Sequence, residues 1–259
     1  MIFFFLFLCG LCLGSFVMTS VDRFVKKKDF FTKRSYCFSC KKQLKFYELI
    51  PLFSYLFLHT RCLDCKSKIS FLYPLVEILS AFLLIFAYVF SGNLYEFLFL
   101  GLYLLGFLAL SLIDYKLKAV PEILLWFVFI CAGFFAFKEE EIINLFLFED
   151  FKEGFLLCSL VFCGVIFFLK SFVSCLINYK KQGEILESLG EADVIIIASM
   201  GGILGFNFGI ISIFLACILS LPFFLILKFK KCKDQSLAMF PFLNIAFILV
   251  FACKMIGNF

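Results

Sequence analysis

Seven stretches of this chain carry no charged residue: 1–21, 78–95, 97–113, 123–137, 154–169, 194–227 and 235–253. A helix that crosses a bilayer needs about 20 mostly apolar residues, within a range of about 17–25. Several runs meet that length once flanking Lys and Arg side chains reach back to the interface. The run 194–227 would be about 51 Å long as one helix at ~1.5 Å per residue, against a hydrocarbon layer of about 30 Å. It is expected to fold back at Gly205-Phe206-Asn207-Phe208-Gly209, a cluster of turn-forming residues. The pattern predicts an all-α polytopic membrane protein with about eight transmembrane helices. No basic segment precedes the first run, and it is longer than the apolar core of a signal peptide, so it reads as a retained span. The expected division is a first transmembrane helix over 1–21, a cytoplasmic loop over 22–71 and a seven-helix membrane core over 72–259.

Composition agrees: the 259 residues are 64% hydrophobic and 20% aromatic, with 43 Phe, where a soluble domain is roughly 45–50% apolar. Charge adds orientation. Of 24 Lys and Arg residues, 20 fall in segments 23–68, 116–118, 180–181 and 228–233. These alternate with the loops near 92–96, 138–153 and 205–209. The basic side is expected to face the cytoplasm. The net charge of +5 therefore reports topology. No nucleic-acid module accompanies it, and no nucleic-acid partner is expected.

The cytoplasmic loop holds candidate metal chemistry. Cys37 and Cys40 form one C-x2-C, and Cys62 and Cys65 form another after 21 residues. Two such knuckles together offer four thiolates in a tetrahedron, which is the pattern of a closed structural zinc site. The spacer slightly exceeds the usual range of about 15–20 and leaves room for a strand-rich excursion. Disulfides are disfavoured in a reducing compartment, and a redox dithiol needs only one pair. Cys9 and Cys12 repeat the spacing inside an apolar run and read as packing. His59 is the only histidine in the chain, which excludes H-E-x-x-H zinc hydrolysis, and no Ser or Cys motif suggests a triad.

Acids at the edge of a membrane span are functional candidates. Asp114 closes the third expected span, within "SLIDYKLKAVPE", and Asp193 opens the sixth, within "SLGEADVIIIASMGG". Both are expected on the cytoplasmic side at one depth. Two neighbouring carboxyls can share a proton and act as general base and general acid. The bland reading of either one alone is a helix cap. Glu77, Glu122, Glu187 and Glu191 are rival acids, and spacing alone does not rank them. Gly201 and Gly205 form a small-x3-small pair suited to close helix packing.

The motifs together resemble the bacterial type IV prepilin peptidases, leader peptidase/N-methyltransferases of the GxGD aspartic group. The resemblance runs almost end to end, through "GLCLGSFVMTSVDRF", the four-cysteine loop, "YPLVE", "IDYKLKAVPE" and "FPFLNIAF". It implies catalytic aspartates at Asp114 and Asp193. It also implies a structural zinc held by Cys37, Cys40, Cys62 and Cys65. The implied activity is cleavage of prepilin or pseudopilin leaders after a Gly, followed by methylation of the new N-terminal residue from S-adenosylmethionine. The implied place is the bacterial inner membrane, with lipid as surroundings and the active site facing the cytoplasm. Arg23 and Glu77 border the region tied to methyl transfer. A peptidase without methylation, or an inactive zinc-bearing scaffold, are the alternatives. The chain departs from the family pattern at Ala192, Ile195 and Glu122.

Overall fold

A computed structural model describes residues 1–27, 35–37, 39–45, 48–52, 55, 60–136, 154–179, 190–229 and 237–257. His59 and Glu187 lie outside them. The described residues form seven helices: α1 (Ile2–Val25), α2 (Leu72–Val89), α3 (Leu94–Leu117), α4 (Glu122–Ala136), α5 (Phe155–Asn178), α6 (Glu191–Phe229) and α7 (Phe240–Gly257). Six are long and apolar enough to cross a membrane; α4, at 15 residues, is shorter. The chain is an all-helical, multi-pass membrane protein, and it divides into two units, Met1–Ser91 and Gly92–Phe259.

In the first unit α1 packs on α2. The contact is close because α1 reads Gly10-Leu11-Cys12-Leu13-Gly14. A Cβ built at Gly10 would stand 2.4 Å from the Ala81 Cα, and one at Gly14 would stand 2.7 Å from the Glu77 Cα. With hydrogens there instead, the backbones approach closely, as small residues permit between membrane helices. The opposite face of α1 exposes Phe5 and Phe16, as a lipid-facing surface would. No strand is formed among the described residues of the loop. The described loop residues make two isolated antiparallel bridges, Tyr36 with Gln43 and Arg61 with Lys68.

In the second unit α3 packs on α4 and α7, and α6 packs on α4, α5 and α7. Helix α3 stops because Lys118 turns left-handed (φ 52°) and returns its N–H to the Asp114 carbonyl. Pro121 follows three residues later and opens α4, its carbonyl accepting from Leu124 and Leu125. Buried Phe107, Phe240 and Phe247 fill the α3–α7 contact, and Tyr103 stands edge-on to Phe247 at 5.2 Å.

The expected fold-back occurs inside α6. Gly205 has φ 76° and ψ 175°, a conformation open essentially to glycine alone. A Cβ at Gly209 would fall 3.2 Å from the Gly201 Cα, whereas eight residues of straight helix span about 12 Å. The two arms therefore lie against each other. Counted as arms, the helical segments number eight. The Gly201–Gly205 pair does not work as expected, because Gly205 makes the turn and packs against nothing. The packing glycines are Gly201, Gly202 and Gly209, and Phe155 and Phe162 of α5 wedge into the space they leave. The turn strands carbonyls at the end of the first arm. The Lys254 ammonium donates to two of them, Ile203 at 3.3 Å and Leu204 at 3.1 Å.

A Cβ at Gly201 would lie 2.1 Å from the Phe162 ring. Gly201→Ala is expected to cost about 1–3 kcal/mol by overpacking, read as a lower unfolding midpoint in detergent. Phe162→Leu, which shortens the wedge, is expected to restore part of that loss; no recovery would place the strain elsewhere.

Candidate active site and metal centre

The four cysteines of the loop converge. Their sulfur atoms all lie within 4.8 Å of one another, with Cys37 Sγ and Cys65 Sγ 3.8 Å apart. Tetrahedral zinc–sulfur bonds of about 2.3 Å set sulfurs roughly 3.8 Å apart, so the donors fit such an ion. The two knuckles are built alike. Cys37 N–H donates to Lys42 and Lys41 N–H to Cys37; Cys62 N–H donates to Ser67 and Lys66 N–H to Cys62, all at 2.9–3.0 Å. Lys41 (φ 60°) and Lys66 (φ 54°) take the same left-handed turn. Lys42 of one knuckle pairs with Asp64 of the other, an exposed ion pair that water and salt screen.

The electrostatics also ask for a cation. Desolvation works against the Cys37 thiolate, but the N–H groups of Cys40 and Ser39, with Ser67 and Cys62, outweigh it and bring this thiol down to about 6. The hydroxyl and N–H of Ser67 likewise lower Cys65. At Cys40 the N–H of Lys42 favours the thiolate, yet desolvation and the three neighbouring cysteines push it up to about 11. Four thiols this close cannot all ionise without a positive ion among them.

Beside this centre lies a cavity of about 350 Å³ in the same unit, with Cys37 and Cys62 in its wall. Its other side is helical: Ser15 and Asp22 come from α1, Tyr73 and Glu77 from α2. Asp22 and Glu77 are both buried. Tyr73 O–H donates to Asp22 Oδ2. Glu77 Oε2 accepts from Leu52 N–H at 2.8 Å, and Ser15 also bonds this carboxyl. Arg23 lines the cavity as well.

In the second unit Asp114 and Asp193 come together, close enough for the charge of one to act on the other. Asp114 is 8% exposed, at the end of α3. Its Oδ2 accepts from Phe240 N–H at 3.2 Å, the first residue of α7. Asp193 lies in the first turn of α6, and its Oδ2 takes the Gly190 N–H at 3.3 Å. Each carboxylate thus occupies the positive end of a helix, Asp193 at its own and Asp114 at α7. The capping role and the pairing coexist, because each uses one oxygen on a helix end. A Cβ at Gly190 would stand 3.2 Å from Asp193 Oδ2, so the glycine leaves room for that carboxylate. Ala192 lies in regular helix, where its methyl fits without strain. The cation near Asp193 is Lys170 of α5, whose Nζ lies 3.8 Å from Glu191 Oε1. Of the rival acids, Glu122 and Glu191 are exposed, and Glu77 belongs to the first unit.

Sequence reasoning passed over three polar residues in these surroundings. Asp22 and Tyr73 pair across two helices. Asn244, 5% exposed on α7, donates to Ser111 Oγ at 3.4 Å, one turn before Asp114 on α3. Buried polar residues on otherwise apolar helices were the available signal.

Residues 8–91 match the model of the Bacterial Peptidase A24 N-terminal domain, which ends where the first unit ends. A "Prepilin leader peptidase/N-methyltransferase" of Vibrio cholerae is 28% identical over 254 residues, 93% of each chain. The chain is thus similar to prepilin leader peptidases over nearly its whole length. Another such protein, from Myxococcus xanthus, is 44% identical over 79 residues, 30% of this chain and 24% of its own length. A "Type 4 prepilin-like proteins leader peptide-processing enzyme" of Escherichia coli O78:H11 is 29% identical over 175 residues, covering 66% of this chain and 59% of that one. No solved structure matches the chain. The alignment with the Vibrio cholerae peptidase is long enough to span both the cysteine centre and most of the second unit.

Proposed function

We propose that this protein removes the leader peptide from type IV prepilins or pseudopilins by aspartic catalysis, and then N-methylates the new N-terminal residue. The observation that carries this reading is the meeting of Asp114 and Asp193, two carboxylates from different helices of a membrane protein similar to prepilin leader peptidases. One shared proton makes one of them a base and the other an acid. The base takes a proton from water, whose oxygen attacks the scissile carbonyl. The acid hydrogen-bonds the carbonyl oxygen as it gains charge. A proton then passes to the leaving nitrogen as the C–N bond breaks, giving a leader carboxylate and a new α-amine. A prepilin helix lying in the bilayer would bring only its polar leader junction to this site.

On this reading the site faces the cytoplasm at the bacterial inner membrane, which the position of Lys118, just after Asp114 on the basic side of the chain, supports. The four thiolates would hold a structural zinc, which leaves no open position for hydrolysis. S-adenosylmethionine, when bound, would supply an electrophilic methyl group on a sulfonium. Incubating purified protein with a prepilin and S-adenosylmethionine is expected to give a product lighter by the leader and heavier by one CH₂. An uncut prepilin would overturn the peptidase reading. A cut product without the CH₂ would leave a peptidase alone.

A further inference from the structure

The hydrolysis just described makes no use of the cavity in the first unit. Its volume of about 350 Å³ lies in the range of small-molecule sites. Six charged residues line it: Asp22 and Arg23 from α1, Lys26 just past its end, Glu48 and Lys68 from the loop, and Glu77 from α2. The two helical carboxylates are the withdrawn ones, with Asp22 8% and Glu77 6% exposed. Ionisable groups so placed on membrane helices need partners and mark sites.

The two carboxylates are held differently. Glu77 ties the loop to the helices through Leu52 N–H and Ser15. Asp22 receives a bond from a phenol, the hydroxyl of Tyr73. A phenol oxygen that donates can also accept. Tyr73 therefore offers a hydrogen-bonded link between a cation in the cavity and Asp22. Peptide hydrolysis produces such a cation, because the α-amine that it frees has a pKa of about 8 and is charged at neutral pH.

We propose that this cavity binds the freshly exposed N-terminal ammonium of the processed chain, and that Asp22, positioned by Tyr73, takes its proton for methyl transfer. The inference rests on the methyltransferase half of the proposed function. The ammonium gives one proton to Asp22 and becomes a neutral amine. The freed electron pair forms the N–C bond while the sulfur–methyl bond of a sulfonium donor breaks, its electrons staying on sulfur. The methylated nitrogen is again a cation and faces the same carboxylates.

The test uses full-length protein in detergent with a prepilin and S-adenosylmethionine, comparing wild type with Asp22→Asn and Tyr73→Phe. At neutral pH the methylation rate is expected to fall about 100-fold in D22N, the contribution of a general base, and about tenfold in Y73F. Leader cleavage, read in the same spectra, persists and reports the fold. Methylation by D22N should recover as the pH rises past about 8, where solution deprotonates the amine. Wild-type methylation by D22N with an unchanged pH profile would overturn the inference, and so would joint loss of cleavage and methylation in both variants. An unmethylated wild-type product would instead overturn the methyltransferase reading on which it rests.

Discussion

Asp114→Asn and Asp193→Asn each abolish leader cleavage, with an expected fall in rate of at least about 10³-fold, within the range for loss of a positioned acid or base. The substitutions are nearly isosteric. In D114N the amide oxygen still accepts from Phe240 N–H, which stands 3.2 Å from Asp114 Oδ2 in the native chain. In D193N the amide oxygen still takes the Gly190 N–H, which stands 3.3 Å from Asp193 Oδ2. Both helix ends keep their caps, so the change is confined to proton chemistry. An amide neither accepts the proton of an attacking water nor delivers one to the leaving nitrogen. The two residues act as a unit, so the double variant should be scarcely worse than either single one. The wild-type rate should be bell-shaped in pH, falling where the pair holds two protons and where it holds none. Product mass spectra measure all of this. Full cleavage by either variant would remove the pair from catalysis.

Replacing Cys37 or Cys62 by serine is expected to have the second large effect: zinc should fall from an expected one per chain, about one ion for four thiolates, to near none, and methylation should be lost while cleavage persists. The reason lies in how the two knuckles are joined. Each isolated bridge lies within one knuckle, Tyr36 with Gln43 and Arg61 with Lys68, and the Lys42–Asp64 pair between them is exposed. An ion shared by the four thiolates would tie one knuckle to the other. In zinc-finger peptides the apparent binding free energy is about 10–16 kcal/mol and is also folding free energy. Cys37 and Cys62 line the cavity, so losing the ion dissolves that wall. Metal analysis of the purified protein, with alkylation of the remaining thiols, measures the first effect, and product mass measures the second. Wild-type protein free of zinc, with Cys37 and Cys62 alkylating rapidly, would discard the metal centre.

Much of this was legible in the residues. Charge-free runs located each helix, since a bilayer tolerates few charges along a span, but not its ends: the run 154–169 stops well short of Asn178, because Lys170 lies within α5. The Gly205–Gly209 cluster announced the fold-back, because one helix of that length overshoots the membrane. The C-x2-C pairs announced their own convergence. Asp114 stood out as an acid closing an apolar run. Other features depend on contacts between distant segments, which no local spacing encodes. Asp22 looks like an ordinary helix-end charge beside Arg23 until Tyr73 meets it from α2. Gly10 and Gly14 acquire meaning only against Ala81 and Glu77. Asn244 sits in an apolar helix without periodic warning, and its partner Ser111 lies on another helix. That Asp114 would cap α7 required knowing where α7 begins.

The turn at Gly205 has a consequence for the lipid. The first arm of α6 runs from Glu191 to Leu204, about 21 Å at ~1.5 Å per residue. This arm falls short of a hydrocarbon layer of about 30 Å. A membrane that meets so short a segment is favoured to become thinner there. Asp193 stands at one end of the arm, and Lys254, holding the carbonyls of Ile203 and Leu204, stands at the other. The arm thus favours a local depression of the bilayer, in which a polar leader would meet the carboxylates at a depth that undisturbed lipid keeps dry.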